Sequence, residues 1–334
     1  MTEISVILPT YNRLPSLKRV LDGLDHQTVP SHQFEVLIVS DGSSDGTHEF
    51  FQGLEKPYSL TYIHQPNQGV AAARNNGVAY AAGWLILFLD DDVVPAPQLI
   101  QEHLSFQQQY GDMVVVIGPM LNPPDHKMSP WVRWEQAQLA KQYQDMNTGH
   151  WEPTARQFYT GNTSLARAHL LASGGFDPNF RRAEDVELAY RLASMGLRFL
   201  FNPQAVGYHY AARSFKSWMS TPYNYGRNDV VFATHKEQHW LLGTIFEEFH
   251  TRHLLIRGLT KLCLDHPWLT RAIHTLLSAM IKSGERLDLP WVSDLACSGL
   301  FNLRYYQGVT DGLAGREAFL AGISGSTQSY GNFN

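Results

Sequence analysis

The first hundred residues alternate short, almost wholly apolar runs with amphipathic helical ones, and this alternation constrains the fold more than any other feature of the chain. Residues 4–8 (ISVIL), 34–39 (FEVLIV) and 84–89 (WLILFL) lack the apolar–polar alternation of a strand with one wet face. Strands of that kind are covered on both faces. Between them, Leu17, Val20, Leu21 and Leu24 recur on one helical face behind Pro15, and residues 70–82 form a helix of small side chains. The pattern predicts an α/β fold with a mostly parallel sheet flanked by helices. A weaker strand is expected at 60–64 and a helix at 98–110, followed by a strand at 113–117. Residues 118–158 read as irregular, with a helix around 132–142. A further helix at about 183–195 and a strand at 199–202 lead toward His209.

Each apolar run ends in polar, turn-forming residues: Thr10-Tyr11-Asn12, Asp41-Gly42-Ser43 and Asp90-Asp91-Asp92. Open α/β sheets bind ligands outside the carboxyl ends of their strands, so these segments are expected to face one crevice. Three adjacent aspartates repel one another, and burial raises the cost of ionising them. A divalent cation removes that cost, and oxygen ligands favour Mg²⁺ or Mn²⁺ over zinc. Such an ion commonly also binds substrate phosphates. Neither a GxxxxGK[ST] loop nor a GxGxxG turn after the first strand is present, which argues against a P-loop hydrolase and a dinucleotide-binding unit. The expected ligand is a nucleotide diphosphate held by the metal and a cation, with Arg74 as the candidate.

Composition bounds the alternatives. The 334 residues are 44% hydrophobic and 17% charged, enough for a large core and about two domains. The formal net charge of -5 argues against a dedicated nucleic-acid binder. Cys263 and Cys297, the only cysteines, cannot build a disulfide framework or a Cys-rich zinc site, so a reduced compartment is expected. The first residues carry no basic segment or cleavage site, and no apolar run approaches the roughly 18 residues of a membrane span. The expectation is therefore a cytoplasmic protein, with the inner face of the cell membrane left open as a place of work.

The ordered segments VILPTYNR (6–13), VSDGSSDGT (39–47), NQGVAAARN (67–75), FLDDD (88–92), GNTS (161–164), GGFD (174–177) and EDVEL (184–188) together resemble the family-2 glycosyltransferases, inverting enzymes of GT-A fold. The likeness covers roughly residues 1–215. It implies a catalytic domain over 1–215; beyond the likeness, the residue pattern reads as a mainly helical C-terminal region over 216–322 and a flexible tail over 323–334. It also implies that Pro9, Thr10, Tyr11, Arg13, Asp41, Arg74, Asp90 and Asp91 bind the nucleotide sugar. Tyr11 would stack on the base, worth about 1–3 kcal/mol if nucleic-acid complexes are a guide. Asp41 would accept from a base N–H, and Asp90 would lie near the ribose. Asp92 would bind the metal with His209 as an added ligand, and Asp185 would be the catalytic base. Gly161, Asn162 and Glu184 are expected near the sugar or the acceptor. Asn162 also opens an Asn-x-Ser glycosylation signal, which is read here as a loop.

The implied activity is metal-dependent, inverting transfer from a nucleotide-diphosphate sugar, expected to be UDP-linked, to a glycan or lipid-linked acceptor in polysaccharide or glycoconjugate synthesis. The competing readings are a non-catalytic sugar-nucleotide-binding scaffold and a sugar-1-phosphate nucleotidyltransferase. The last usually carries a glycine- and base-rich loop after its first strand, which Pro9-Thr10-Tyr11-Asn12-Arg13 is not. In the C-terminal third, Arg252, Arg257, Lys261, Arg271, Lys282 and Arg286 accompany leucines at helical spacing, and Pro267 divides two helices. Helices packed on the catalytic domain are the favoured reading. A homo-oligomer contact and peripheral contact with an anionic membrane give the same pattern. Trp218, Tyr223, Tyr225 and Trp240 are candidates for sugar-stacking walls.

Overall fold

A computed structural model describes residues 2–180, 182–264 and 266–329. The chain divides into two compact units, Met1–Lys127 with Gln136–Ala211, and Met128–Glu135 with Ala212–Asn334. The short excursion at 128–135 into the second unit had no signal in the sequence.

The first unit is built on strands β1 (Ile4–Thr10), β2 (Phe34–Asp41), β3 (Ser59–Gln65), β4 (Leu85–Leu89), β5 (Val93–Pro95), β6 (Val114–Ile117), β7 (Met120–Leu121), β8 (Asn162–Ala166), β9 (Arg198–Phe201) and β10 (Gly207–His209). Seven of them form one sheet in the order β3-β2-β1-β4-β8-β6-β9. Pairing is parallel between β3, β2, β1 and β4, and between β6 and β9. β8 is antiparallel to both β4 and β6. All residues of β1, β2 and β4 are buried, as expected of strands with a layer on each face. Helix Leu14–Asp25 buries Leu17, Val20, Leu21 and Leu24 against this sheet, in one cluster with Val6, Leu8 and Leu87. The remaining strands form a small sheet, β5-β10-β7. β8 has no sequence forerunner: five residues buried throughout, Asn162-Thr163-Ser164 among them, do not read as a strand because polar side chains fill a buried strand here.

The second unit is helical. Helices Phe215–His235 and Pro290–Gly312 cross closely at Gly226 and Gly308, where an added Cβ would lie 2.1 Å and 2.0 Å from the carbonyl oxygens of Tyr305 and Tyr223. Trp218 is fully buried and meets Trp134 edge-on at 6.1 Å, with Ala296, Cys297 and Leu300 in the same core. Trp218 is therefore a core residue and not a sugar-stacking wall. Pro267 opens helix Pro267–Arg286, which follows Leu254–Cys263. Helix Arg316–Ser329 runs through the start of the expected tail, and residues 330–334 lie outside the described residues.

Candidate active site

The parallel register assembles the site from strand ends. Thr10 pairs with Ser40 across β1 and β2, so Tyr11 and Asp41 emerge beside each other at the carboxyl edge. The two loops are tied together: the Asn12 N–H donates to Ser43 Oγ at 3.0 Å, and Asn12 Oδ1 accepts from the Ser44 N–H at 2.7 Å. Asp41 is buried. Its Oδ1 accepts from Gln65 Nε2 and the Gln68 N–H, both at 2.8 Å, and its Oδ2 from the Gly69 N–H at 2.9 Å. A carboxylate has about four acceptor sites, so Oδ2 retains capacity for one more donor.

β4 delivers the three aspartates into unequal surroundings. Asp91 is buried, accepting from Thr10 Oγ1 at 2.7 Å and Arg13 at 3.0 Å. Burial pushes its carboxyl up to about 6 despite both partners. Burial acts on Asp92 in the same direction, but His209 and Arg13 overcome it and hold the carboxyl below its ordinary range. The two oxygens of Asp92 divide their work, Oδ2 meeting Arg13 at 2.7 Å and Oδ1 lying 3.5 Å from His209 Nε2. The antiparallel register explains the second contact: His209 on β10 pairs with Val93 on β5, directly after Asp92. The Tyr210 N–H also donates to the Asp92 carbonyl at 2.8 Å. Gly161 packs against Asp90, where an added Cβ would lie 3.1 Å from Asp90 Oδ2 and 2.6 Å from the Met120 sulfur.

Arg74 departs from expectation. The sequence assigned it to a diphosphate, but its guanidinium is buried and committed to two carboxylates, Glu184 at 2.8 Å and Asp90 at 3.1 Å. Burial opposes its charge, yet Asp90, Glu184 and Asp185 together raise its pKa above the ordinary value. One side chain thus joins helix Val70–Tyr80, the end of β4 and helix Glu184–Ser194. Asn75 reinforces the link by donating to the Phe176 carbonyl and accepting the Phe176 N–H, each at 2.8 Å.

Asp185 stands in the first turn of helix Glu184–Ser194, entered through Ala183 in the left-handed region at φ 60°. Non-glycine residues reach that region only at some cost in strain. Burial and then the neighbouring Glu184 charge raise the Asp185 carboxyl to about 7, while Arg74 and the Val186 N–H pull it down. A carboxyl titrating near neutrality can take up and release a proton at working pH. Asn162 is a correction. It is fully buried, its amide nitrogen donates to the carbonyls of Pro119 and Ala205, and its Oδ1 meets His103 Nε2 at 2.9 Å. These contacts lock the start of β8 and leave no part of the side chain for sugar or acceptor. The loop reading of the glycosylation signal fails because Asn162-Thr163-Ser164 lies in the buried strand β8.

A cavity of about 560 Å³ opens where these strand ends meet. Pro9, Thr10, Tyr11, Arg13, Asp41, Arg74, Asp90 and Asp91 all line it. The sequence reading did not assign Asn67, Gly69, Val70, Ala73 and Arg182, which complete the wall. The first four lie inside the NQGVAAARN segment, and Arg182 had no signal beyond preceding Glu184-Asp185. The described lining does not include Asp92, Gly161, Asn162, Glu184, Asp185 or His209. Of these, Glu184 joins the lining through Arg74, Asp92 through Arg13, and Gly161 through Asp90.

Residues 5–171, half of the chain, match the family described as Glycosyl transferase family 2. The chain belongs to that family. It is 31% identical over 229 residues to validoxylamine A glucosyltransferase of Streptomyces hygroscopicus subsp. jinggangensis, covering 61% of this chain and 54% of that protein. It is 27% identical over 237 residues to chondroitin synthase of Escherichia coli, covering 62% of this chain and 34% of the synthase. The chain thus spans about half the length of such relatives, or less. Its fold is that of solved glycosyltransferases. S. aureus TarS 1-349 in complex with UDP aligns with a TM-score of 0.55 at 19% identity, covering 92% of this chain and 90% of that one. The mannosyltransferase PcManGT of Pyrobaculum calidifontis, in complex with GDP-Man and Mn2+, aligns at 0.55 and 19% identity, covering 91% and 86%. The family-2 domain of this chain is a GT-A glycosyltransferase domain with a helical region following it.

Proposed function

We propose that the chain transfers a sugar from a nucleotide-diphosphate donor, UDP-linked, to an acceptor hydroxyl with inversion, in the synthesis of a polysaccharide or other glycoconjugate. The observation that carries this reading is the cavity at the ends of β1, β2 and β4, joined by Arg74 to the helix of a carboxylate that titrates near neutrality. Tyr11 offers a half-exposed ring for the base, and Asp41 Oδ2 an acceptor suited to the N–H of uracil or guanine. Arg13, Arg74 and Arg182 are the cations at the cavity for the diphosphate, and Arg13, whose side chain is 47% exposed, also meets Asp91 and Asp92.

Among the described residues no group of three or more His, Cys, Asp or Glu side chains could hold a metal ion. Asp92 and His209 are a two-ligand pair. Two ligands with the diphosphate oxygens suit an Mn²⁺ or Mg²⁺ ion shared with its substrate, and the imidazole nitrogen favours Mn²⁺. Gln136 Nε2 lies 3.1 Å from His209 Nδ1; with that amide flipped, its oxygen would accept from Nδ1–H and leave Nε2 for the ion. When bound, the ion would carry negative charge gathering on the leaving diphosphate.

Asp185 accepts the proton of the acceptor hydroxyl as that oxygen bonds to the anomeric carbon and the bond to the diphosphate oxygen breaks. One displacement inverts the centre, and one carboxylate is enough. Titration of UDP with and without Mn²⁺ tests the reading. Asp92→Asn is expected to erase the Mn²⁺-dependent gain in affinity, and Asp185→Asn to leave it intact. An Asp92→Asn titration indistinguishable from the parent would remove the metal assignment.

A further inference from the structure

The helical unit exposes apolar side chains where a self-contained fold would bury them. Of the 20 large hydrophobic residues exposed in the described chain, nine fall between Leu254 and Leu295. Helix Leu254–Cys263 turns Thr260 and Cys263 inward and leaves Leu254, Leu255 and Leu262 in water at 73%, 72% and 57% exposure. Helix Pro267–Arg286 buries Ile281 and Gly284, while Trp268 on its outer side is 71% exposed. At the corner that follows, Leu287 and Trp291 are 68% and 64% exposed.

Basic residues outnumber acids among these side chains, although Asp288 is exposed between Leu287 and Leu289. Lys261, Arg271, Lys282 and Arg286 are all exposed. Positions 268, 271, 275, 282 and 286 recur at intervals of three, four and seven, so Trp268, Arg271, Lys282 and Arg286 share one face of their helix. Glu285, the one acid described within that helix, is held by Arg133 at 2.6 Å.

We infer that this surface of the helical unit lies on an anionic lipid bilayer, its leucines and tryptophans in the headgroup boundary and its cations against lipid phosphates. Charge selects the occupant. A second copy would set the same cations against themselves across an isologous contact, whereas an anionic bilayer offers both an apolar layer and the opposite charge. No described helix is long and apolar enough to cross a membrane, so the contact is with the surface.

Co-sedimentation of the full chain with phosphatidylcholine vesicles, with and without phosphatidylglycerol, tests this. The chain is expected to pellet with the anionic vesicles and to be released by salt. The triple variant Arg271→Glu, Lys282→Glu, Arg286→Glu should lower partitioning by about a hundredfold, and Trp268→Ser with Trp291→Ser by about tenfold. Circular dichroism and UDP titration of each variant separate a lost surface from a lost fold. Equal pelleting with both vesicle types, or variants that pellet like the parent, would overturn the proposal. So would light scattering that reveals a concentration-dependent dimer dissolved by Trp268→Ser without any lipid binding.

Discussion

The sheet unit and the helical unit break the ordinary distribution of side chains in opposite ways. The sheet unit draws charge inward: Asp41 and Asp91 at strand ends, and Arg74 and Glu184 on helices, are all buried. The helical unit pushes apolar surface outward, leaving leucines and tryptophans in water around a well-packed aromatic core. Buried charge needs fixed partners, and the first unit supplies them through residues as far apart in sequence as Arg74 and Glu184. Exposed apolar surface needs a covering partner instead. Stored electrostatic cost marks the place for chemistry, whereas uncovered apolar area marks a place for contact.

The largest effect that would sharpen the contrast is loss of the proton acceptor. Asp185→Asn should lower the transfer rate by roughly 10²–10⁴-fold while UDP affinity holds, as seen by comparing a transfer assay with a binding titration. Full transfer would remove Asp185 from the base role. The same carboxylate sets a pH signature. Its folded pKa lies above the ordinary carboxylate value, so folding favours the protonated form; its stabilising effect is present at low pH and is lost as pH rises toward about 7. Transfer needs the ionised form, so the rate should rise through that same range. A rate flat from pH 5 to 8, to about a factor of two, would contradict it.

Tryptophans in the helical unit provide the internal control. Trp218→Ala empties a fully buried site and should cost about 3–5 kcal/mol in urea unfolding. Trp291→Ala changes an exposed site and should shift stability by less than about 0.5 kcal/mol. Equal effects would mean that Trp291 is covered.

The Arg74 effect falls at or below that of Trp218. Removing its charge in Arg74→Met strands the buried Glu184, but Asp90 is 39% exposed and recovers water, so a loss of about 3 kcal/mol is expected in the same unfolding experiment. Arg74→Lys keeps the charge without the fork and should lose less.

Legibility in the sequence followed the range of the interaction. The apolar runs and the turns that end them are local, so β1, β2 and β4 could be read directly, and the family resemblance implied eight of the thirteen residues that line the cavity. Thr10 and Asp41 were found because each stands at the end of its own strand. Asn162 was misread because its partners, Pro119, Ala205 and His103, are more than 40 residues away along the chain, and only together do they consume its amide. Arg74 was seen as a cation but not as a balanced one, since the sequence carries no sign of where Glu184 will fold. Trp218 and Trp291 look alike as residues, and burial alone distinguishes them.

The chain's order of residues was enough for the α/β class, the carboxyl-edge crevice and the acidic triplet, because period and turn chemistry act within a few residues. The three-dimensional fold decided that His209 stands beside Asp92, that Arg74 bridges two carboxylates, and that Leu254 and Trp268 remain in water. Strand register and packing bring distant residues together, and no local pattern encodes which distant side chain will satisfy or expose another.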